Sequence, residues 1–467
     1  MVKGRAAASS MRAKGDRLVS AEEAETTQEK VWRLEDTLYR AAKADPKRRF
    51  HQLYDKVYRR DVVEQAWEQV RRNGGAAGID QVTIDMVEHY GVEQLLGEVA
   101  TELRKEEYRP LPARRVWIPK PGTQEKRPLA IPAVRERIVQ AALKVVIEPI
   151  FEADFQPESY GFRRGKKAHD ALQVLLDEAW RGRRWVVESD IANCFESIPH
   201  EGLMSAVEER IVDRKLLKLI RSLLRAGVLE EGRVRRGITG TPQGGVVSPL
   251  LCNVYLNRFD REWKRRGKGM LVRYADDLVV MCWSEAEAKR ALAEMTAILE
   301  ELGLEAKATK TRIVELKEGG EGFDFLGFHH RLVGAWNRQR NRRVLFLARW
   351  PSRRATQHAR DRIRELTERS RLLCGLDEVV QGVNRYLRGW SGYFRYGNST
   401  ETFQAMRAYA AERVVLFVSK LRESSREVGW RIYAGSPNHL GLVYIDRTVV
   451  APRPRQLWRV LGAEYRR

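Results

Sequence analysis

Two short apolar runs on either side of adjacent aspartates predict two strands joined by a tight turn. Residues 270–272 and 278–281 are apolar, and Asp276 and Asp277 lie between them. Two carboxylates about 4 Å apart repel each other by about 4 kcal/mol at an effective dielectric of about 20, so a partly buried pair calls for a cation. Hard divalent ions with oxygen ligands, Mg²⁺ first, are the natural candidates. A solvated acidic turn is the alternative, because Asp is common in turns.

A third carboxylate stands at the end of another short apolar run. Residues 185–187 predict a strand that ends at Asp190. A carboxylate at this strand end, beside the two-aspartate turn, would complete a cage for two metal ions about 3.5–4 Å apart, as an in-line phosphoryl displacement requires. The alternative for Asp190 is a turn residue or the N-cap of a helix.

The rest of the chain alternates predicted helices and strands. Apolar residues at helix-like spacings occur over residues 22–70, 138–151, 169–180 and 285–302, and residues 116–132 predict a β-hairpin. A Gly-rich break at residues 73–79 separates the first helices from this hairpin. Strands alternating with helices in this order indicate an α+β fold, with a mixed α/β region around the aspartates.

The charge of the chain narrows the class of partner. The 467 residues have room for two to four domains, and the net charge of +22 indicates a polyanionic partner, nucleic acid first and an anionic membrane surface second. The sequence has no run of 18 apolar residues that would predict a membrane-spanning helix. Its four cysteines lack C-x-x-C spacing, which argues against a disulfide framework and is typical of a reducing cytoplasm.

The most basic stretch lies in the C-terminal part of the chain. Residues 331–371 hold thirteen arginines against three acidic residues, a net charge of +10. Aromatic residues lie within and just after this stretch, and arginine together with aromatic rings suits phosphate contacts and base stacking. A solvated helix face for the charges, and a helical core for some of the rings, are the alternatives.

Eight ordered sequence blocks resemble the reverse transcriptases that bacterial group II introns encode. YADD at 274–277 and SDIANCF at 189–195 resemble the palm of these enzymes. The other blocks are NGGAAGID at 73–80, RPLAIP at 127–132, SYGFR at 159–163, GTPQGGVVSPLL at 240–251, FDFLGF at 323–328 and GWSGYFR at 389–395, which resembles the maturase segment. The resemblance extends in order from about residue 50 to about residue 400.

The resemblance implies a right-hand polymerase, in which fingers and palm are followed by a mainly helical thumb and maturase domain. Many relatives also carry a C-terminal metal-dependent nuclease domain with paired cysteines, which is not expected here. The implied divisions are a basic, partly disordered N-terminal extension over residues 1–50, the N-terminal reverse-transcriptase block and fingers over 51–184, the palm over 185–335, the RNA-binding thumb and maturase domain over 336–430, and a basic, candidate DNA-binding segment over 431–467.

The metal site has four implied ligands. Asp190, Asp276 and Asp277 would act as the catalytic carboxylates and hold two Mg²⁺ ions, and Ile191 would add its backbone carbonyl. The protein then has to position a transferring phosphoryl group and neutralise its charge, rather than form covalent bonds to it.

Four further residues are predicted to contact the incoming nucleotide. By resemblance, the ring of Phe195 would lie under the sugar and favour deoxynucleotides, and Gln243 would touch the nucleotide. Lys120 and Arg127 flank the predicted hairpin and are candidates for the triphosphate, because an arginine fork matches phosphate oxygens. The alternatives are a core position for Phe195 and ordinary surface charges for Lys120 and Arg127.

Downstream of the palm aspartates, Phe325, Leu326 and Gly327 would form the primer grip, which places the 3′ end of the primer. Lys310 lies in a block behind the palm that often reads Glu-Lys-Thr in the family but contains Thr309 here, and its role stays open between solvent, template and catalysis. The predicted RNA-binding residues are Arg349, Arg353, Arg354, Arg360, Trp390, Tyr393 and Arg395.

The sequence thus predicts an RNA-directed DNA polymerase of a group II intron that also binds the intron RNA as a maturase and assists splicing and retrohoming. Expected partners are group II intron RNA, an RNA template, a DNA primer or target DNA, and dNTPs. Association with a membrane is not expected. The expected location is the bacterial cytoplasm, within a ribonucleoprotein. The alternatives are a splicing cofactor without polymerase activity and a non-intron reverse transcriptase of a CRISPR or phage-defence system. The sequence after residue 417 matches the family only loosely.

Overall fold

The computed structural model describes residues 25–119, 126–235, 237–337 and 341–455. These residues form three sheets surrounded by helices, which confirms the predicted α+β class. Residues 1–24 of the expected N-terminal extension, the nucleotide candidate Lys120 and residues 456–467 lie outside the described residues. Within the described ranges, no helix combines the length and the apolar character needed to cross a bilayer.

The elements include the predicted helices near residues 138–151, 169–180 and 285–302, together with others that the apolar spacing did not predict. The helices are α1 (Thr27–Ala44), α2 (Tyr54–Val57), α3 (Arg60–Asn73), α4 (Ile84–Tyr90), α5 (Val92–Arg104), α6 (Val134–Glu152), α7 (Ala168–Arg181), α8 (Cys194–Ser197), α9 (His200–Glu208), α10 (Arg214–Arg225), α11 (Ser248–Arg266), α12 (Glu285–Glu301), α13 (Arg353–Leu366), α14 (Leu376–Phe394), α15 (Thr400–Leu421) and α16 (Arg426–Gly435). The strands are β1 (Ala113–Pro119), β2 (Lys126–Ile131), β3 (Trp185–Asp190), β4 (Val228–Glu230), β5 (Arg233–Arg235), β6 (Met270–Tyr274), β7 (Asp277–Cys282), β8 (Arg312–Glu315), β9 (Phe323–Phe325), β10 (Phe328–Asn337) and β11 (Arg342–Pro351). Short helical turns lie at Arg369–Arg371, Asn438–Gly441 and Asp446–Thr448.

The first helix belongs to the folded core. A capping box between Thr26 and Glu29 satisfies backbone N–H groups at the start of α1. Val31, Leu34 and Leu38 on one face of α1 are buried in the same core as the apolar residues of α3 and α6. Within the predicted N-terminal extension, Thr27–Ala44 is thus helical and packed in the core, in agreement with the helix-like spacing that begins at residue 22.

The fingers sheet has the strand order β2-β1-β4-β5. The pairing of β1 with β2 is antiparallel, and Val116 lies opposite Leu129, so the predicted hairpin is present. The short strand β4 then adds to β1 in parallel, which brings the chain that follows α10 back to the fingers.

The palm sheet has the order β6-β7-β3-β8, and all neighbouring strands are antiparallel. Side chains alternate between its faces. Val187 and Val280 enter a core shared with α6, α11 and α12, whereas Val186 and Val279 enter a second core shared with α7 and the helices of the thumb. Because both faces are covered, polar chemistry is confined to the ends of these strands.

A third sheet, with the order β11-β10-β9, leads from the palm into the thumb helices α13 to α16. The strands β10 and β11 pair continuously from Phe328 opposite Pro351 to Asn337 opposite Arg342. The boundary predicted between residues 335 and 336 falls inside β10. This strand pairs with β11 without a break, so the palm and the thumb cannot be divided at that position.

The C-terminal part of the chain returns to the body of the protein. Leu442 and Ile445 are buried in the second core. The N–H of Val450 donates to the carbonyl of Arg395 at 2.7 Å, and the N–H of Arg455 donates to Asp177 Oδ1 at 2.8 Å. As far as residue 455, the predicted C-terminal segment over residues 431–467 therefore packs on the thumb and contacts α7.

Candidate active site

The ends of β3 and β7 bring the three predicted carboxylates together. Asp190 lies directly opposite Asp277 in the antiparallel register, and Asp276 lies in the turn just before β7. The N–H of Ile191 donates to the carbonyl of Asp276 at 3.1 Å, which joins this turn to the end of β3. All three side chains therefore belong to one end of the palm sheet, while their catalytic role stays a prediction.

A buried arginine holds the turn between β6 and β7. The guanidinium of Arg273 donates to the carbonyl of Ala275 at 3.0 Å, to Asp260 Oδ1 at 2.7 Å and to Ser159 Oγ at 2.8 Å. Both Arg273 and Asp260 have fully buried side chains. Ala275 has a φ of +57°, a left-handed conformation that costs an L-residue about 1–2 kcal/mol. The hydrogen bond from Arg273 supports this conformation, so the buried pair holds the turn that carries Asp276.

Sequence reasoning did not single out this pair. The available signal is a charged residue, Arg273, within an apolar strand, because a buried cation needs a carboxylate and further acceptors. Its partner Asp260 lies on the core side of α11, and helical spacing alone does not show which polar residue of a helix faces the arginine.

The electrostatic field of the site favours protons or cations. Burial and the neighbouring carboxylates of Asp190 and Asp276 raise the pKa of Asp277 to about 7. Burial, and then the charge of Asp190, raises the pKa of Asp276 as well. The Asp277 side chain keeps 40% of its surface exposed, so a hydrated ion can reach it.

Lys310 is the cation that lies closest to these carboxylates among the described residues. Its Nζ lies 2.8 Å from Asp190 Oδ2 and 3.9 Å from Asp277 Oδ1. Lys310 therefore lies beside the carboxylates, and its role stays open between solvent, template and catalysis. The described ranges contain no group of three or more His, Cys, Asp or Glu side chains already arranged around a metal position. The oxygen donors do suit a hard divalent ion, which would have to displace the Lys310 ammonium from Asp190.

Three of the four predicted nucleotide contacts lie among the described residues, on β2, on α8 and in the Gly-rich loop after β5. Arg127 is exposed on β2, and its positive charge lowers the pKa of Asp276 against the larger effect of burial. The carbonyl of Gln243 accepts the N–H of Ala130 at 2.7 Å, which joins the Gly-rich loop to β2. The carbonyl of Phe195 accepts the N–H of Thr241 at 2.6 Å, and the half-buried Phe195 side chain packs against the first core.

The predicted primer grip is a tight turn between β9 and β10. Leu326 and Gly327 have φ values of +50° and +77°, and Phe325 is buried. The N–H of Ser352 donates to the carbonyl of Gly327 at 2.8 Å, and the hydroxyl of Tyr393 donates to the carbonyl of Leu326 at 2.9 Å. The turn is thus tied to the thumb on both sides, although its contact with a primer stays a prediction.

The predicted RNA-binding residues divide into exposed and buried groups. Arg353 and Arg354 are exposed at the start of α13, and Arg360, Tyr393 and Arg395 are half-buried. Further exposed arginines that the prediction missed lie on one face of α14 at Arg385 and Arg388.

The prediction that Arg349 and Trp390 bind RNA is wrong, because both side chains are buried. The guanidinium of Arg349 is buried and donates to the carbonyl of Tyr396 at 2.8 Å. Trp390 is buried and packs against Phe394 and Phe403. Both belong to the core between the β10–β11 hairpin and the thumb helices, so neither can reach an RNA strand on the surface.

Fold and site together define the class as a right-hand nucleic-acid polymerase with a helical domain attached to its thumb side. Residues 118–330 match the family "Reverse transcriptase (RNA-dependent DNA polymerase)", and residues 356–433 match "Group II intron, maturase-specific domain".

Curated relatives agree with these matches. The chain is 35% identical to the protein YkfC of Escherichia coli over 346 residues, which is 65% of this chain and 88% of that protein. It is 36% identical over 214 residues to the group II intron-encoded protein LtrA of Lactococcus lactis, which is 45% of this chain and 35% of LtrA. A third relative, an uncharacterized 91 kDa protein in the cob intron of Schizosaccharomyces pombe, is 28% identical over 75% of this chain and 51% of its own length. The chain therefore spans only about a third to a half of these last two relatives.

The chain belongs to the group II intron-encoded reverse transcriptase and maturase family. It is accordingly a reverse transcriptase, and the reverse-transcriptase domain is that of a metal-dependent nucleotidyltransferase. The maturase-specific match argues against the alternative of a non-intron reverse transcriptase.

Proposed function

We propose that the chain extends a DNA primer along an RNA template with Asp190, Asp276 and Asp277 as the ligands of two Mg²⁺ ions. The pairing of Asp190 with Asp277 across β3 and β7, next to Asp276, is the observation that carries this proposal. The carbonyl of Ile191 would complete the ligand set. The β-bridge between Ile191 and Ala306 uses other acceptors, because the N–H of Lys307 donates to the carbonyl of Asp190 and the N–H of Ala192 donates to the carbonyl of Glu305. When bound, the ions would neutralise charge on the transferring phosphoryl group and activate the attacking hydroxyl.

The protein itself supplies positioning and further positive charge. Arg127, and Lys120 in the segment outside the described residues, would hold the triphosphate of a dNTP. Phe195 and Gln243 would contact the sugar and base, and the turn at Phe325–Gly327 would place the primer end. Lys310 would give up its contact with Asp190 to a bound ion and would leave a positive charge near the carboxylates.

The experiment that tests this function is primer extension by the purified chain with Mg²⁺, dNTPs, an RNA template and a DNA primer. We expect templated addition that depends on the divalent ion. A protein that binds the same RNA but adds no nucleotide would support the alternative of a splicing cofactor without polymerase activity.

Mg²⁺ binding is expected to strengthen as the pH rises through about 7. Because the pKa of Asp277 is raised to about 7, the metal-free protein gains stability from this group at low pH and loses it as the pH rises through that value. Mg²⁺ needs the ionised carboxylate and so competes with the proton, which predicts about tenfold tighter binding at pH 8 than at pH 6. Isothermal titration calorimetry at both pH values measures this change, and Asp277→Asn should bind weakly with a smaller pH dependence. Equal wild-type affinities at the two pH values would contradict the proposed ligand role.

The proposed second partner is group II intron RNA, bound by the thumb and maturase domain. The net charge of +22 and the exposed arginines of α13 and α14 support this partner. The catalysis of splicing would remain with the RNA, and the protein would stabilise the folded RNA and later copy it at a DNA target. The proposed setting is a ribonucleoprotein in the bacterial cytoplasm.

Neutralising exposed thumb arginines is expected to weaken RNA binding without unfolding the protein. Arg353→Gln combined with Arg388→Gln should lower the affinity for intron RNA and reduce the salt slope of log K by about 1 per lost phosphate contact. Filter binding between low and moderate salt measures both quantities. The control Lys289→Gln removes an exposed cation from α12, on the palm, and should leave the slope unchanged. An unaltered slope in the double variant would contradict the assignment of this surface.

A further inference from the structure

Phe162, in the loop before α7, combines an exposed ring with a strained backbone. Its side chain is 54% exposed, and its φ is +55°. A positive φ is an outlier for a bulky residue and costs about 1–3 kcal/mol. An exposed ring gains little from packing, so its neighbours must impose this conformation.

The residues on both sides of Phe162 are fixed. A Cβ atom at Gly161 would lie 2.4 Å from the backbone nitrogen of Ala275, so only glycine allows this loop to lie against the catalytic turn. Asn253 donates to the carbonyl of Gly161 at 2.8 Å. On the other side, the guanidinium of Arg163 donates to Glu152 at 3.1 Å and to the carbonyl of Ser159 at 2.8 Å. The loop is thus held against the carboxylate turn with the ring directed outward.

The ring of Phe162 also lines a cleft of about 380 Å³. The charged residues of this cleft are three cations and one carboxylate, namely Lys144, Arg163, Arg164 and Glu148. Each of these cations is held in an ion pair, Lys144 with Glu148, Arg163 with Glu152, and Arg164 with Glu35 and Glu148, so the cleft offers an aromatic face rather than free positive charge. Base stacking on an exposed aromatic ring is a contact by which proteins bind single-stranded nucleic acid.

We propose that Phe162 is a stacking platform for a nucleobase of the single-stranded template as it approaches the carboxylates. The loop bridges to the palm sheet at its β6 edge, where Ser159 pairs with Arg273, whereas the primer-grip turn follows β8 at the opposite edge. The two strands of a primer–template lie on opposite sides of the reacting end, so the β6 side is the template side. This inference rests on the proposed polymerase function and adds a template-binding residue to it.

The test is the affinity of Phe162→Asn for a primer–template with a 5′ template overhang, compared with a blunt duplex of the same paired length. Asn tolerates a positive φ, so this variant removes the ring without a folding penalty, and its melting temperature should not fall. One lost base stack is worth about 1–3 kcal/mol, which predicts about tenfold weaker binding of the overhang substrate and little change for the blunt duplex. Phe162→Tyr should bind as the wild type does.

A matched control is Trp283→Ala. Trp283 is 52% exposed and follows β7 at the end away from Asp277, so its loss should not affect the overhang. The proposal is overturned if Phe162→Asn binds the overhang substrate as tightly as the wild type, or if its affinities for the two substrates fall equally. An equal fall in overhang affinity in Phe162→Tyr or Trp283→Ala would also overturn it. Binding is measured without dNTPs, so an inactive polymerase that still shows the selective loss would refute the proposed function and leave the platform intact.

Discussion

Replacing Asp277 by alanine is expected to abolish primer extension while RNA binding persists. The change removes one of two carboxylates that face each other across β3 and β7, and with it a ligand of the proposed Mg²⁺ ions. Metal ions contribute several kcal/mol of transition-state stabilisation, and each 1.36 kcal/mol is a factor of ten, so we expect a loss of about a thousandfold or more. Single-turnover extension of a DNA primer on RNA measures the rate, and filter binding measures the RNA affinity.

Asp276→Ala and Asp190→Ala should behave in the same way, because the three carboxylates act as one unit. The control Asp36→Ala removes a carboxylate from α1, where it pairs with Arg40, and should extend primers at the wild-type rate. Extension by Asp277→Ala within tenfold of the wild-type rate would show that this carboxylate is not a ligand of the catalytic ions.

Replacing Arg273 by methionine is expected to destabilise the palm and to impair catalysis. The change leaves the buried carboxylate of Asp260 without its cation, and removing one partner of a buried ion pair typically costs about 3–5 kcal/mol. It also removes the donor to the carbonyl of Ala275, which supports the turn that carries Asp276. Urea denaturation followed by tryptophan fluorescence measures the free energy of unfolding, and primer extension measures activity.

A second variant separates these two effects. Arg273→Met combined with Asp260→Leu removes both charges, so stability should recover by about 3–5 kcal/mol relative to the single change. Activity should remain low, with a higher Mg²⁺ requirement, because the turn still lacks its donor. Full activity of the double variant would show that Arg273 only fills the core. Lys289→Met, at an exposed pair on α12, should change stability by less than about 1 kcal/mol.

The sequence predicted the palm site well because its pattern is local. Apolar runs around Asp276 and Asp277, and another that ends at Asp190, predict strands, and family blocks in a fixed order indicate that these strands are neighbours. The observed pairing of Asp190 with Asp277 agrees with that expectation.

The features that the sequence did not reveal depend on which face of an element a charged residue occupies. Arg349 follows the same basic pattern as Arg353, yet Arg349 lies where β11 is buried on both faces, whereas Arg353 begins α13 with an exposed side chain. Lys310 has no local signal either, because its contact with Asp190 arises when β8 adds to the edge of the sheet. Such contacts between distant segments require the tertiary fold.

The most direct test of the metal site is the position of anomalous scattering from Mn²⁺ in crystals of the protein bound to a primer–template and a non-hydrolysable dNTP. The account predicts peaks within coordination distance of Asp190, Asp276 and Asp277, with the Lys310 ammonium moved away from Asp190. Ordered substrates with no Mn²⁺ peak between these three carboxylates would contradict it.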